Sequence, residues 1–198
     1  MMLPLLILIT GPPAAGKTIL ARNLADQFGL ALIAKDTIKE RLYDSLGFEN
    51  PNLNKRLGGA TFDLLYDLVE EQLRAGNSLI VEAAFWKESA TEKLRRIIDK
   101  NPARPIEIHC TARTEVLVSR FAQREITDYR HPGHKAGDGV DREALLSIIE
   151  SGRYDALRLT DEVTVVDTSD FGPADFDQIE QEPAAYLSAI LNRSSPSR

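Results

Sequence analysis

The chain has 198 residues, 43% of them hydrophobic and 27% charged, with a formal net charge of −6 and a pI near 5.2. That length predicts one globular domain with enough chain to bury a core, and the acidic balance argues against broad nucleic-acid binding, which needs a basic surface. A single cysteine, Cys110, excludes an internal disulfide and fits a reducing, cytoplasmic setting.

Apolar runs alternate with helical patterns along the chain. Residues 3–9 are a continuous apolar run with no Lys or Arg before it, which reads as a buried parallel strand rather than the core of a signal peptide. A turn and a helix through about Phe28 follow, with Ile19, Leu20 and Leu24 on one face. Residues 30–34 predict a second strand and 36–46 a second helix. The stretch 47–54, rich in Asn and Pro, reads as a loop, and Leu57, Leu64, Leu65, Leu68 and Leu73 mark a helix ending at Gly76. Residues 78–85 predict the third strand, 88–100 a polar helix stopped by Pro102, 106–111 the fourth strand and 114–124 a further helix. Residues 126–140 carry Pro132, Gly133, Gly137 and Gly139 among charges and read as a mobile loop. A helix at 141–151, a strand at 163–166, a helix at 173–191 and a frayed tail at 194–198 complete the pattern.

Five strands separated by helices predict an α/β three-layer sandwich with a five-stranded parallel sheet, as one domain over residues 1–193. Periodicity leaves the strand order open. No stretch reaches the ~18 apolar residues that a membrane helix needs, so no membrane partner is expected.

Gly11-Pro12-Pro13-Ala14-Ala15-Gly16-Lys17-Thr18 matches the Walker A pattern in full, between an apolar strand and an amphipathic helix. In such a P-loop the glycines let the backbone N–H groups turn inward around phosphate oxygens, here those of Gly11, Ala14, Ala15 and Gly16. Lys17 reaches the outer phosphates, and the Thr18 hydroxyl ligates Mg2+. The expected ligands are therefore ATP, with GTP left open, and Mg2+. Two acids lie where the next strands end, and a sheet of this kind places ligands at its strands' carboxyl ends. Asp36 follows the second strand, as a site carboxylate or a helix N-cap. Glu82 lies inside the apolar third strand, where a carboxylate is costly to bury without a cation. It reads as a Mg2+ ligand, direct or through water, or as an edge residue facing solvent.

With Gly11 to Thr18, Asp36-Thr-Ile-Lys39 and Val81-Glu82-Ala-Ala-Phe85 in this order, the chain resembles the small P-loop kinases. The AAA-type ATP-binding group that includes chloramphenicol phosphotransferase, polynucleotide 5′-kinases and zeta toxins is the most similar. Val118-Ser-Arg120-Phe-Ala-Gln-Arg124 with Arg130-His131-Pro-Gly-His134 is similar to that group's arginine-bearing lid, here about residues 120–140. Val166-Asp167-Thr168 is similar to its last strand, which leads to the base pocket. The resemblance implies phosphoryl transfer from the triphosphate to a hydroxyl of a small molecule. Asp36 would act as base, Lys17, Arg120 and Arg124 would act on the phosphates, and Thr168 would lie near the nucleotide. Lys39, Phe85, Trp86, Arg130, His131 and His134 would belong to the acceptor side. The chain departs from the group at Lys39, where Arg is usual, and at Glu82, where Asp is usual. Lys39 attracts an anion but lacks the bidentate fork.

Other readings compete. A 5′-hydroxyl polynucleotide kinase is disfavoured by the acidic balance and by the lack of a basic, aromatic strip beyond the lid. A nucleotide-dependent switch or regulatory ATPase is the alternative from another class. The GTPase-type base motif fails at the last position of Asn54-Lys55-Arg56-Leu57. The His131 and His134 pair invites a zinc reading, but zinc wants three or four ligands, and His109 and Cys110 are distant in sequence. Phe48, Phe62, Tyr66, Phe85 and Trp86 are candidates for an acceptor pocket or for the core. The acceptor itself and the oligomeric state are not written in the sequence.

Overall fold

A computed structural model describes residues 3–126, 130–137, 142–161, 163–171 and 181–193. β1 (Leu5–Thr10) is buried at every position, as a strand must be when strands flank it and helices cover both its faces. It lies between β3 (Leu79–Glu82) and β4 (Arg104–Thr111), with β2 (Ala31–Ala34) and β5 (Val163–Asp167) outside them. The sheet is all parallel, in the order β2-β3-β1-β4-β5.

The helices are α1 (Lys17–Phe28), α2 (Lys35–Leu46), α3 (Pro51–Arg74), α4 (Lys87–Lys100), α5 (Thr114–Ile126), α6 (Pro132–Gly137), α7 (Arg142–Glu150) and α8 (Gln181–Arg193). Strand residues alternate between two cores. Ile7, Ile9, Ile80, Ile106 and Ile108 pack against Leu20 and Leu24 of α1 and Leu187 and Ile190 of α8. Leu6, Leu8, Leu79 and Val81 pack against Leu65 and Val69 of α3 and Leu94 and Ile97 of α4. This is the three-layer α/β sandwich that the alternation of elements predicts.

The helix after β1 thus covers one face and the helix after β3 covers the other. The crevice between the carboxyl ends of these two neighbouring strands is a topological switch point, where sheets of this type bind ligands. Register sharpens this: Ile9 of β1 and Ala34 of β2 both lie abreast of Glu82 of β3. The chain segments leaving all three strands therefore start from one row.

Two stretches expected to be loops are helical. Residues 51–54 form the first turn of α3, because Pro51 takes a position where no N–H is needed and Asn50 accepts from the N–H groups of Asn52 and Leu53 at 2.9 and 3.3 Å. Residues 132–137, inside the stretch read as a mobile loop, form α6. The rest of that stretch at 127–129 and 138–140, residue 141 of the next expected helix, the first part of the expected last helix at 173–180, and the tail at 194–198 lie outside the described residues. β3 also ends sooner than expected, at Glu82, which leaves 83–86 as irregular chain at its carboxyl end.

Candidate active site

Beyond Thr10 the chain turns at Gly11, whose φ is +125°; a Cβ there would stand 2.0 Å from the Cys110 carbonyl oxygen, so no other residue passes β4 this closely. Ala14 and Gly16 are also left-handed, at φ +66° and +81°. Such a conformation costs a non-glycine residue on the order of 1 kcal/mol, and it persists where packing holds it. Ala14 is buried in a small core with Val118 and Phe121 of α5 and Leu145 of α7, so α5 and α7 rest directly on the loop. Gly16 caps α1 and has no side chain to satisfy the helix's first N–H groups. This is the arrangement by which a helix N-terminus holds an anion. Lys17 is buried and arches back over the loop, its Nζ donating to the Pro12 carbonyl at 2.8 Å.

Two carboxylates meet this loop. The Thr18 hydroxyl donates to Glu82 Oε2 at 3.4 Å, and Glu82 is 4% exposed, which rules out the solvent-facing edge position. Burial pushes the Glu82 carboxyl above its ordinary range, against the pull of Lys17, while the same burial pushes Lys17 down against Glu82 and Asp36. Thr18 and Glu82 together offer the hard oxygen donors that suit Mg2+, an ion held by few protein ligands and completed by water and phosphate. Asp36 lies in the first turn of α2. Ala34, not Asp36, holds the N-cap position. Desolvation alone would raise the Asp36 carboxyl, but Lys35, with its Nζ 2.9 Å away, His134 and Lys17 outweigh it and hold the group well below the usual carboxylate range. Cys110, beneath the loop, is pushed up to about 12 by burial and is no nucleophile.

Of the expected lid residues, Arg124 feels the charges of this centre: desolvation and the charge of Arg130 lower its pKa, while Asp36 and Glu82 draw it up. The Arg130 guanidinium stands 5.2 Å over the Phe121 ring. Arg120 is engaged elsewhere, with Thr168 and Phe171.

Among the residues expected on the acceptor side, α6 docks on α2 and α3. Tyr43 is fully buried, and its hydroxyl donates to Asn54 Oδ1 at 2.8 Å; Asn54 Nδ2 in turn donates to the Gly133 carbonyl at 3.2 Å. His131 stacks on the Tyr43 ring, with Nε2 3.1 Å from Asp44 Oδ1, and His134 meets the ring edge-on, with Nε2 3.3 Å from Glu40 Oε1. Each histidine thus has its own carboxylate on α2, and among the described residues no three His, Cys, Asp or Glu side chains gather as a metal site. Lys39 is buried, with its Nζ 5.2 Å over the Tyr43 ring. Phe48 packs against Tyr43 and His131, whereas Phe85, Phe62 and Tyr66 form one aromatic cluster belonging to the core. Trp86 is half exposed, with the Arg153 guanidinium 4.7 Å over its face.

Glu107 is a residue that pattern reading passes over. Fully buried in β4, it accepts from the Thr10 hydroxyl at 2.8 Å and from the N–H groups of Leu157 and Arg158 at 2.7 and 2.8 Å. It thereby ties the last residue before the P-loop to the segment beyond α7. The signal was present: a carboxylate between Ile106 and Ile108, as telling as the one that marks Glu82.

A Walker A nest at the switch point of a parallel sheet, with carboxylates at the ends of the adjacent strands, is the architecture of the small P-loop kinases, and by fold this chain stands with them. It belongs to the AAA domain family, whose pattern it matches over residues 6–144. A candidate kinase from Chloroflexus aurantiacus J-10-fl is 35% identical and superposes with a TM-score of 0.79, covering 92% of this chain and 97% of that one. The cytidylate kinase of Ignicoccus hospitalis is 28% identical over 125 residues, which are 62% of this chain and 66% of that protein, so the chain spans just under two thirds of this relative's length. A gluconokinase from Sinorhizobium meliloti 1021, 16% identical with a TM-score of 0.61 over 98% of this chain and 99% of its own, shares the fold. Among the described residues no helix is long and apolar enough to cross a membrane.

Proposed function

We propose that the protein transfers the terminal phosphoryl group of ATP to a hydroxyl of a small molecule. The observation that carries this reading is the row formed by Ile9, Ala34 and Glu82. It brings the P-loop lysine, an ionised Asp36 and the Thr18–Glu82 oxygen pair to one crevice.

Phosphoryl transfer asks for positioning and for neutralisation of charge on the moving group. The Gly11 to Thr18 amides hold the phosphates, and Lys17 is long enough to exchange the Pro12 carbonyl for an outer phosphate oxygen. Thr18 and Glu82 would hold Mg2+, which when bound neutralises charge on the outer phosphates. Asp36 accepts a hydrogen bond from the acceptor hydroxyl and takes its proton as the new O–P bond forms and the bond to the leaving diphosphate breaks. A carboxylate with a depressed pKa is a weak base, which suits a loose transition state in which the proton leaves late. Arg124 stabilises charge on the group in transit.

The ionised Asp36 also bears on the acceptor's chemistry. An acceptor phosphate, such as the cytidylate that gives one relative its name, has largely lost its protons at neutral pH and needs no base at this position. A hydroxyl has such a proton and is attracted. The polynucleotide-kinase and regulatory-ATPase alternatives gain no support from any side chain described above. The test is phosphate release from Mg·ATP with and without a panel of sugars, polyols and hydroxylated antibiotics, with product mass as the readout. One compound should stimulate turnover and gain a single phosphoryl mass, and Lys17→Ala should abolish nucleotide binding. Turnover that no hydroxyl compound alters would favour the regulatory ATPase.

A further inference from the structure

The Thr10 hydroxyl has one hydrogen, and Glu107 takes it: Oγ1 donates to Oε1 at 2.8 Å. The other neighbour of that oxygen is His109 Nδ1, 2.9 Å away, which is left to donate. Nδ1 therefore carries the ring's hydrogen. Burial pushes the His109 pKa down, against the pull of Glu107 and Asp155, so the ring is neutral near pH 7 and its Nε2 is a bare acceptor. Among the described residues nothing bonds Nε2, and the ring is half-buried rather than enclosed.

The fold places this acceptor atom beside the phosphate nest. His109 stands abreast of Thr10, the residue that leads into Gly11. It lies two residues on from Glu107, so both face the α3–α4 side of the sheet, while Ile106, Ile108 and Cys110 face the other core. On that side the chain between α7 and β5 packs against the start of α4. The Lys87 N–H donates to the Arg153 carbonyl at 2.9 Å, Lys87 Nζ lies 3.6 Å from Asp155, and the Thr91 hydroxyl donates to the Leu157 carbonyl at 3.3 Å. Arg158 is left-handed, at φ +54°, with its N–H on Glu107. Among the described residues only Arg158 and Ala14 of the P-loop are non-glycines with positive φ, and such strain collects at ligand sites.

We propose that His109 Nε2 contacts the phosphoryl acceptor, taking a hydrogen bond from a second hydroxyl of the molecule whose first hydroxyl meets Asp36. The acceptor is then a polyol or a sugar rather than a simple alcohol. This rests on the small-molecule kinase reading above and names the substrate class which that reading leaves open. A bare ring nitrogen selects by chemistry: it attracts a hydroxyl hydrogen and offers nothing to a phosphate or carboxylate oxygen, which is an acceptor itself. Asp36 follows β2 and His109 lies on β4, three strand spacings or roughly 14 Å apart between backbones. Two side chains, two hydrogen bonds and a sugar-sized ring between them bridge such a span.

Nitrogen NMR of the histidine rings, on the whole protein, reads tautomer and hydrogen bonding without turnover. The probes are sugars, polyols and their deoxy analogues, added with Mg·ADP and assayed in parallel for phosphorylation by Mg·ATP. The His109 ring should be in the Nδ1–H form, and a compound that gains a phosphoryl group should move Nε2 upfield. His109→Asn keeps a donor for Thr10 and removes Nε2. It should raise that compound's KM about tenfold and leave the KM of Mg·ATP within about twofold. One deoxy analogue should lose the same factor with wild type and nothing further with the variant. His109→Gln, which returns an amide oxygen close to the place of Nε2, should recover part of the loss; wild type with the deoxy series carries the test if either variant fails to fold. An Nε2–H ring, or a phosphorylated compound that leaves the His109 signal and the variant's KM unmoved, would overturn the contact and spare the kinase reading. A panel from which no compound is phosphorylated would sink both.

Discussion

The hydroxyl of Thr18 and the Oε2 of Glu82 meet at 3.4 Å across 64 residues of chain, so the first turn of α1 and the end of β3 present oxygen donors at one point. Glu82→Gln keeps the shape of this pair and removes its charge. Turnover of Mg·ATP should fall at least roughly tenfold and need more Mg2+ for half-saturation, as expected when an ion held by few protein ligands loses its one carboxylate. Metal-free nucleotide binding should hold or improve. A Mg2+ titration of wild type and variant at fixed ATP checks this, and superimposable curves would remove Glu82 from the metal's surroundings.

Asp36→Asn should leave Mg·ATP affinity intact and slow transfer to the true acceptor by roughly 10²–10⁴, the range of a lost general base. The sign of its effect on stability is also fixed. The folded-state pKa of Asp36 is depressed by Lys35, His134 and Lys17 acting against desolvation. Its ionised form therefore stabilises the fold above the ordinary carboxylate range, and that contribution fades as pH falls through the depressed value. The Asn variant should melt earlier than wild type at neutral pH, with the gap closing in strong acid. Thermal melts at the two pH values are the measurement.

Glu107→Ala leaves the N–H groups of Leu157 and Arg158 without their acceptor and the Thr10 hydroxyl with only His109 Nδ1, 2.9 Å away. An orphaned buried donor costs about 1–3 kcal/mol, so a total near 3 kcal/mol is expected after relaxation, or a Tm lower by roughly 6–12 °C in a chain of this size. Differential scanning calorimetry reads it directly. A shift under a degree would mean that water replaces the carboxylate at no cost.

A Cβ on Gly133 would lie 2.3 Å from the ring of Tyr43, itself fully buried. Gly133→Ala should therefore lift α6 from α2 and α3 while the sheet stays intact. Hydrogen exchange should quicken at residues 131–137 and stay slow in β1 and β3. Unchanged protection at 131–137 would show that the ring yields instead.

The phosphate nest and the layered fold were legible because each has a local signature: the Walker A spacing for one, apolar runs alternating with helical periods for the other. Strand order was not, because it depends on which runs pair across the sheet, and Leu6 and Leu8 look the same whichever neighbour they meet. Residues 51–54 were misread because Asn and Pro signal loops and helix starts alike, and only the cap geometry of Asn50 separates the two. Asp36 and Glu82 could be chosen from their places at strand ends. The engagement of Arg120 could not, because Arg120 and Arg124, four apart on a helix, look alike in any pattern, and what Arg120 meets is a turn after β5 that is distant in sequence. Glu107 was overlooked for want of a motif, although its cost of burial was as visible as that of Glu82.

Trp86, the single tryptophan of the chain, lies under the Arg153 guanidinium at 4.7 Å and joins the segment leaving β3 to the segment beyond α7. All indole emission from this protein therefore comes from one junction, and it changes as those two segments part or close. The fold thus carries an unlabelled optical gauge at the junction of these two segments. A ligand that moves them can be detected by light before its identity or any product is known.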